Sequence, residues 1–299
     1  MQNKKILSAA GAIFCCALWG ISTPIVKMGY AYTEPSHVPS LLLWAGIQFL
    51  AAGILTICLY SIVSKKLMAP KKKNIKGVVI VSTLQTVVQY TCLYIGLLYT
   101  TSVKGSILKS TDVFFVALIA SLLFKMEKLT VKKIVACIIG FAGIIIMNLD
   151  GLSLNINPLG DGLVVLGILS YAFGVIASKL FSKDEDPVVL SGYQMTLGGL
   201  VMLLIGAAFH GKIDFSGMLP IMVGLSAIYA VSYTIWMVLL KHNPASSITI
   251  YSFSTPVFGV IFSALILQEA GGVASLSLVI ALTLVCVGII LWGYEKKQQ

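Results

Sequence analysis

Ten long apolar runs, separated by short polar segments, account for most of this 299-residue chain. They cover residues 6–30, 38–63, 77–99, 103–124, 131–149, 162–180, 188–209, 218–240, 245–267 and 273–294. Each is close to the ~20 residues that a bilayer's hydrocarbon core requires. At that depth no water is present to satisfy backbone N–H and C=O groups, so each run must be helical. Charged residues make up only 11% of the chain, against roughly 25% in a soluble domain. A water-soluble globule of this size could not cover its surface with so few. The expected fold is an all-α polytopic membrane protein with ten transmembrane helices.

Charge placement predicts the orientation. The basic residues, 21 in all, are every one lysine, and the formal net charge is +10. With the N-terminus in the cytoplasm, seventeen lysines fall on inside segments, including Lys65, Lys66, Lys71, Lys72, Lys73 and Lys76 in one loop. Only Lys104 and Lys212 fall outside. This bias predicts a multi-pass plasma-membrane protein with both termini cytoplasmic. All the lysines except Lys27 and Lys109, which lie within spans, fall between apolar runs or at their ends, and with no arginine for bidentate base contacts no nucleic-acid partner is expected. The six cysteines lie inside apolar runs without a C-x-x-C, and no histidine pair has metal-ligand spacing. Neither a disulfide framework nor a metal site is expected. The A-x-A-like triplet at Ala10 opens the first apolar run instead of closing it, so that run reads as an uncleaved span.

An internal repeat divides the chain. Residues Ser110, Thr111, Val113, Phe114 and Val116 of the fourth run recur as Ser254, Thr255, Val257, Phe258 and Val260 of the ninth. Tyr90-Thr91 recurs as Tyr233-Thr234, and Gly143 as Gly288. Two halves of five spans each must insert in opposite senses, giving inverted repeats at 1–149 and 162–299 joined by an external connector at 150–161. Transporters built this way bind substrate near the midplane, between the halves.

The residues then resemble a known family. Trp19-Gly20 followed by Lys27, the Ser254-Thr255-Pro256-Val257-Phe258 run ending at Glu269, the fourth span followed by Lys125-Met126-Glu127-Lys128-Leu129, and the glycine-bearing fifth and tenth spans are similar to the drug/metabolite transporter superfamily, in its ten-span EamA-type branch. The resemblance covers the whole chain. It implies a bacterial inner-membrane exporter or exchanger of an amino acid, another metabolite or a drug, with no cofactor. The chain departs from the family pattern in one place. Lys109 and Asp112 stand in the fourth span where an uncharged residue and then proline are usual.

Enzyme chemistry finds no support. The chain has no D-D-x-x-D cluster, no intramembrane histidine beside a G-x-S-G, and no second mid-span aspartate to pair with Asp112. The stretch from Gly206 to Lys212 approaches a phosphate-binding loop but ends on Ile213 and follows no strand. The expected activity is therefore secondary transport of a small, amino-acid-like metabolite, driven by exchange or by protons. Two alternatives are an importer of a quaternary ammonium or other cation and a non-transporting receptor or scaffold. Either a monomer or a homodimer fits, with the Ala136, Gly140 and Gly143 stripe packing inside one chain or at a dimer seam.

Candidate substrate contacts follow from polar groups at depth. Asp112 lies about nine residues into its span, roughly 14 Å deep, where a charge faces a bundle interior or a wet cavity. Lys109, three residues earlier, shares its helix face, with Gly105 leaving room beside the pair. The competing reading is a self-neutralising intrahelical ion pair. In the functional reading Lys109 engages an anionic group, and Asp112 engages an amine or exchanges the coupling proton. Tyr229, Tyr233 and Trp236 form an i, i+4, i+7 stripe on the eighth span, and Gln89, Tyr90 and Tyr94 a similar set on the third. With Trp19 they are read as a cavity wall against a bland alternative of helix-to-helix hydrogen bonding. Gln48, Gln194, Tyr171 and Tyr251 are lesser candidates of the same kind.

Overall fold

A computed structural model describes residues 2–100, 102–149, 155–267 and 276–294. Glu269, Lys296, Lys297 and connector residues 150–154 lie outside the described residues. Among those described, the regular structure is all helical, joined by short turns and loops, with no β-strand. Its one bridge joins Thr33 to Ile213 in two loops.

The α-helices among the described residues are, in chain order, α1 (Gln2–Gly29), α2 (Val38–Ser64), α3 (Ile75–Ser82), α4 (Gln89–Tyr99), α5 (Ser102–Lys109), α6 (Asp112–Leu118), α7 (Val131–Met147), α8 (Pro158–Phe181), α9 (Pro187–Ala208), α10 (Phe215–His242), α11 (Ala245–Thr249), α12 (Ser254–Leu267) and α13 (Leu276–Tyr294). A π-helical segment, Thr83–Val88, joins α3 to α4, and a second, Ile119–Leu123, extends α6. Merged in this way, eight helical stretches among the described residues are long and apolar enough to cross a membrane. Helix α7 has 17 residues and the apolar part of α13 runs from Leu276 to Trp292. Both are a little shorter than a ~20-residue crossing. Apolar side chains such as Leu122, Leu204, Val223 and Ile290 face outward, as a lipid solvent permits.

Small residues set the packing. Helix α2 lies along α9, and α7 along α13. At the first contact a Cβ on Gly46 would sit 2.3 Å from the Leu203 backbone nitrogen, and one on Gly199 the same distance from that of Leu50. At the second, Gly143 and Gly288 meet backbone oxygens of Ala281 and Ala136. The stripe on α7 is thus buried within the chain. Helix α1 packs on α10 and α12, while α8 packs on α4, α5 and α6.

Two sequence expectations change. The connector does not extend to Asp161, because α8 begins at Pro158 with Asn157 as its N-cap, accepting from Gly160 N–H at 2.9 Å. Asp161 sits in the first turn of α8, paired with Lys104 and accepting Thr100 O–H at 2.7 Å. Nor is the fourth span one helix. It breaks at Ser110–Thr111, between α5 and α6, so Lys109 ends one helix and Asp112 begins the next.

Toward the lysine-rich end, side chains tie helix ends together. Lys179 donates to the carbonyls of Leu240 and Asn243 at the C-terminus of α10. Ala12, Cys15, Cys16, Ile119, Trp236 and Leu240 belong to one buried cluster there. At the opposite end Asp214 caps α10, and the Ser216 N–H at 2.9 Å holds its carboxyl below the usual carboxylate range.

Candidate functional site

Both interrupted helices bring polar groups to the middle of the bundle. In the fourth span, Ser110 Oγ donates to Ser106 O at 3.0 Å and Thr111 Oγ1 to Leu108 O at 2.6 Å. In the ninth, α11 and α12 are separated by a 3-10 turn, Ile250–Phe253. There Thr249 Oγ1 donates to Ala245 O at 2.9 Å and Ser254 Oγ to Tyr251 O at 2.7 Å. Hydroxyl side chains thus satisfy carbonyls close to each break, the usual remedy where a helix is broken inside a membrane. Pro256 accounts for the second break, since its ring crowds the carbonyl four residues earlier, that of Ser252.

A cavity of about 330 Å³ lies between the two breaks. Its lining includes Trp19 from α1, Gln89 and Tyr90 from α4, Lys109 and Asp112 at the first break, and Tyr229 and Tyr233 from α10. Seven of the nine sequence candidates therefore meet around one space. Lys109 is exposed to it, whereas Asp112 is 7% exposed. Among the described residues no ion pair within 4.0 Å joins Lys109 to Asp112. The two charged groups make no direct contact, and Asp112 Oδ1 has no hydrogen-bond partner among the described residues.

The aromatic wall is ordered by its own contacts. Tyr90 and Tyr233 share a hydrogen bond of 2.8 Å between their hydroxyls. Tyr229 stacks on Phe49 with ring centroids 5.1 Å apart, and Trp19 meets Tyr233 edge-on at 5.7 Å. Trp236 and Tyr94 do not line the cavity. Trp236 is 2% exposed and packs behind Trp19 at 4.8 Å, and Tyr94 lies beside Tyr90 at 6.0 Å. Helical spacing put both on the correct face, but a neighbouring ring screens each of them. Gln194 is elsewhere in the interior, accepting Thr86 O–H at 2.8 Å.

The lining also holds residues that sequence reasoning passed over: Ser22, Thr23, Ser106, Ser252, Thr255 and Pro256. Tyr171, a lesser candidate, is there too. The repeat contained the missing signal, because Thr255 corresponds to Thr111 next to Asp112. Several lining atoms are buried without a protein partner: Trp19 Nε1, Gln89 Oε1, Asp112 Oδ1, Ser252 Oγ and Thr255 Oγ1. Buried polar groups are otherwise almost always paired, so this cavity is equipped for a polar occupant.

The EamA-like transporter family model matches residues 6–149 and again 158–294. The chain belongs to the EamA-like transporter family. Relatives of this EamA-like protein include an uncharacterized transporter of Bacillus subtilis, YvbV, 26% identical over 100% of this chain and 95% of that protein. Another is an uncharacterized transporter of Synechocystis, sll0355, 28% identical over 99% and 93%. A solved crystal structure superposes on the EamA-like bundle with a TM-score of 0.80 over 97% of each chain, at 15% identity, and so shares its fold. Membership makes the chain a multi-pass membrane transporter with a small-molecule substrate.

A second cavity of about 410 Å³ lies at the lysine-rich end. Tyr251 lines it, while Ser252, the next residue, lines the central one. The 3-10 turn thus contributes a residue to each cavity.

Proposed function

We propose that this EamA-like protein is a secondary transporter that exports or exchanges a small zwitterionic, amino-acid-like metabolite across the plasma membrane. Ten crossings form two inverted halves, residues 1–149 and 162–299, with both termini cytoplasmic. The repeated family match supports this reading. So does the packing, which maps onto itself when the halves are exchanged: α1 on α10 answers α8 on α4, and α1 on α12 answers α8 on α6. With that orientation the cavity faces outward.

The observation that carries the substrate reading is the separation of Lys109 from Asp112 at a broken helix within one small cavity. Lys109 offers an exposed cation for a carboxylate. Asp112 offers an acceptor for an amine and exchanges the coupling proton when the substrate leaves. Tyr90, Tyr229 and Tyr233 cover the apolar remainder. A space of about 330 Å³ is at the lower end for ligand pockets, which favours a metabolite over a drug. The aromatic wall would also suit a quaternary ammonium, but Lys109 repels one.

The test is a thermal-shift screen of purified protein against amino acids, amines and nucleosides, followed by transport of each hit in proteoliposomes. Asp112→Asn should abolish proton-driven uptake, and Lys109→Met should weaken zwitterion binding. If the double variant Lys109→Met with Asp112→Asn folds and transports like the parent, the reading is wrong.

A further inference from the structure

The cavity at the lysine-rich end belongs to no step of transport described above, and its chemistry is different. Three lysines, Lys5, Lys128 and Lys133, line it against one carboxylate, Glu127. Glu127 is already engaged, accepting from the N–H and O–H of Ser246 and pairing with Lys133 at 3.8 Å. Lys133 is engaged too, donating to Lys128 O at 2.8 Å and lying 5.2 Å over the Trp292 ring. Lys5 and Lys128 are exposed, and among the described residues neither ammonium has an acidic partner within 4.0 Å. Thr130, which also lines the cavity, is the N-cap of α7, so the positive end of a 17-residue helix opens on the same space. These features arise on different elements and all favour an anion.

The walls indicate what carries that anion. On α1, Lys5, Ser8 and Ala9 face the cavity while the intervening Ile6 and Leu7 are exposed. On α13, Ile289 and Trp292 face it while Ile290 and Leu291 are exposed. Outward apolar side chains therefore flank the cavity on both helices, and the indole sits where an interfacial aromatic belt is expected. A ligand here meets lysines and hydrocarbon together.

We propose that this cavity is a binding site for the phosphate headgroup of an anionic phospholipid, held by Lys5 and Lys128, with its acyl chains lying along α1 and α13. Basic pockets between transmembrane helices on the cytoplasmic side suit such headgroups. A free phosphate offers the lysines the same chemistry, and the experiment separates the two.

The full chain, purified in detergent, is titrated with dioleoylphosphatidylglycerol, dioleoylphosphatidylcholine, glycerol phosphate and inorganic phosphate. Bound molecules are counted by native mass spectrometry. Phosphatidylglycerol should bind saturably in preference to phosphatidylcholine. Lys5→Gln with Lys128→Gln should weaken it roughly thirtyfold, the loss expected for two juxtamembrane lysines, without lowering the melting temperature in phosphatidylcholine. A control pair of exposed lysines on the same face, Lys73→Gln with Lys76→Gln, should leave binding at this site intact. Equal binding of the two lipids, equal affinity in the Lys5/Lys128 variant, or an equal loss in the control pair overturns the proposal. So does saturation by glycerol phosphate or inorganic phosphate at the concentrations where the lipid binds, which would assign the site to a soluble phosphate.

Discussion

Lys109 and Asp112 flank a break in a helix, and the break decides what each can do. On a continuous helix they would be near enough to neutralise one another. Across Ser110–Thr111 they stay apart, one exposed to the cavity and one buried with an oxygen unpaired. The neighbouring aromatics have separable roles. Trp236→Ala should cost the fold ~3–5 kcal/mol, as large core truncations do, yet leave ligand affinity unchanged in protein that survives. Tyr233→Phe removes only the 2.8 Å bond to Tyr90. It should cost about 0.5–1.5 kcal/mol of stability and weaken ligand binding, measured by thermal shift with and without the ligand. The reverse ranking, with Trp236→Ala altering affinity and Tyr233→Phe not, would contradict the geometry. The charged and aromatic lining residues were legible in the sequence because such a group deep in an apolar run is conspicuous, whereas the lining serines and threonines, which also occur as ordinary packing residues, were not. Trp236 and Tyr94 were misplaced for a different reason. Spacing along one helix gives a face, but which ring from another helix covers that face is a tertiary fact.

At the scale of elements, the interruptions in the fourth and ninth spans are the least regular structure in the bundle. Hydroxyl groups substitute for part of the helical ladder at both. Amides at residues 110–113 and 250–253 should exchange with deuterium faster than those of α2 or α9, and a bound substrate should slow them. Uniform protection across the fourth span would argue for an unbroken helix. The long α2–α9 contact has the opposite character. Gly46 and Gly199 each touch the backbone of the other helix. Gly46→Val should therefore destabilise by about 1–3 kcal/mol, the usual effect of forcing bulk into a packed core, visible as a lower melting temperature. The eight helical stretches long enough to cross were readable from hydropathy because the bilayer admits only helices. The break at Ser110–Thr111 was not, since the fourth span contains no proline and its nearest glycine, Gly105, lies inside α5. Pro256 marks the ninth, but the distortion falls on the turn before it.

For the whole molecule, lysine placement is the basis of orientation. In a background lacking the six native cysteines, Lys73→Cys should resist an impermeant thiol reagent in intact cells, and Ile156→Cys should react. Both positions are exposed, whereas Asn74 is buried and donates to Glu185 at 2.9 Å. The opposite labelling pattern would invert the topology. The repeat was legible through Ser110-Thr111 and Ser254-Thr255, but the second cavity was not. Its walls come from α1, α7, α11 and α13 and the loops beside them, which are distant in sequence. Tyr251 and Ser252 give that separation a thermodynamic meaning. Two consecutive residues of one turn line different cavities. Any occupant that displaces the turn from one side changes the affinity of the other side, and linkage makes the factor identical in both directions. A central ligand that tightens lipid binding must itself be bound more tightly, by the same ratio, when the lipid is in place.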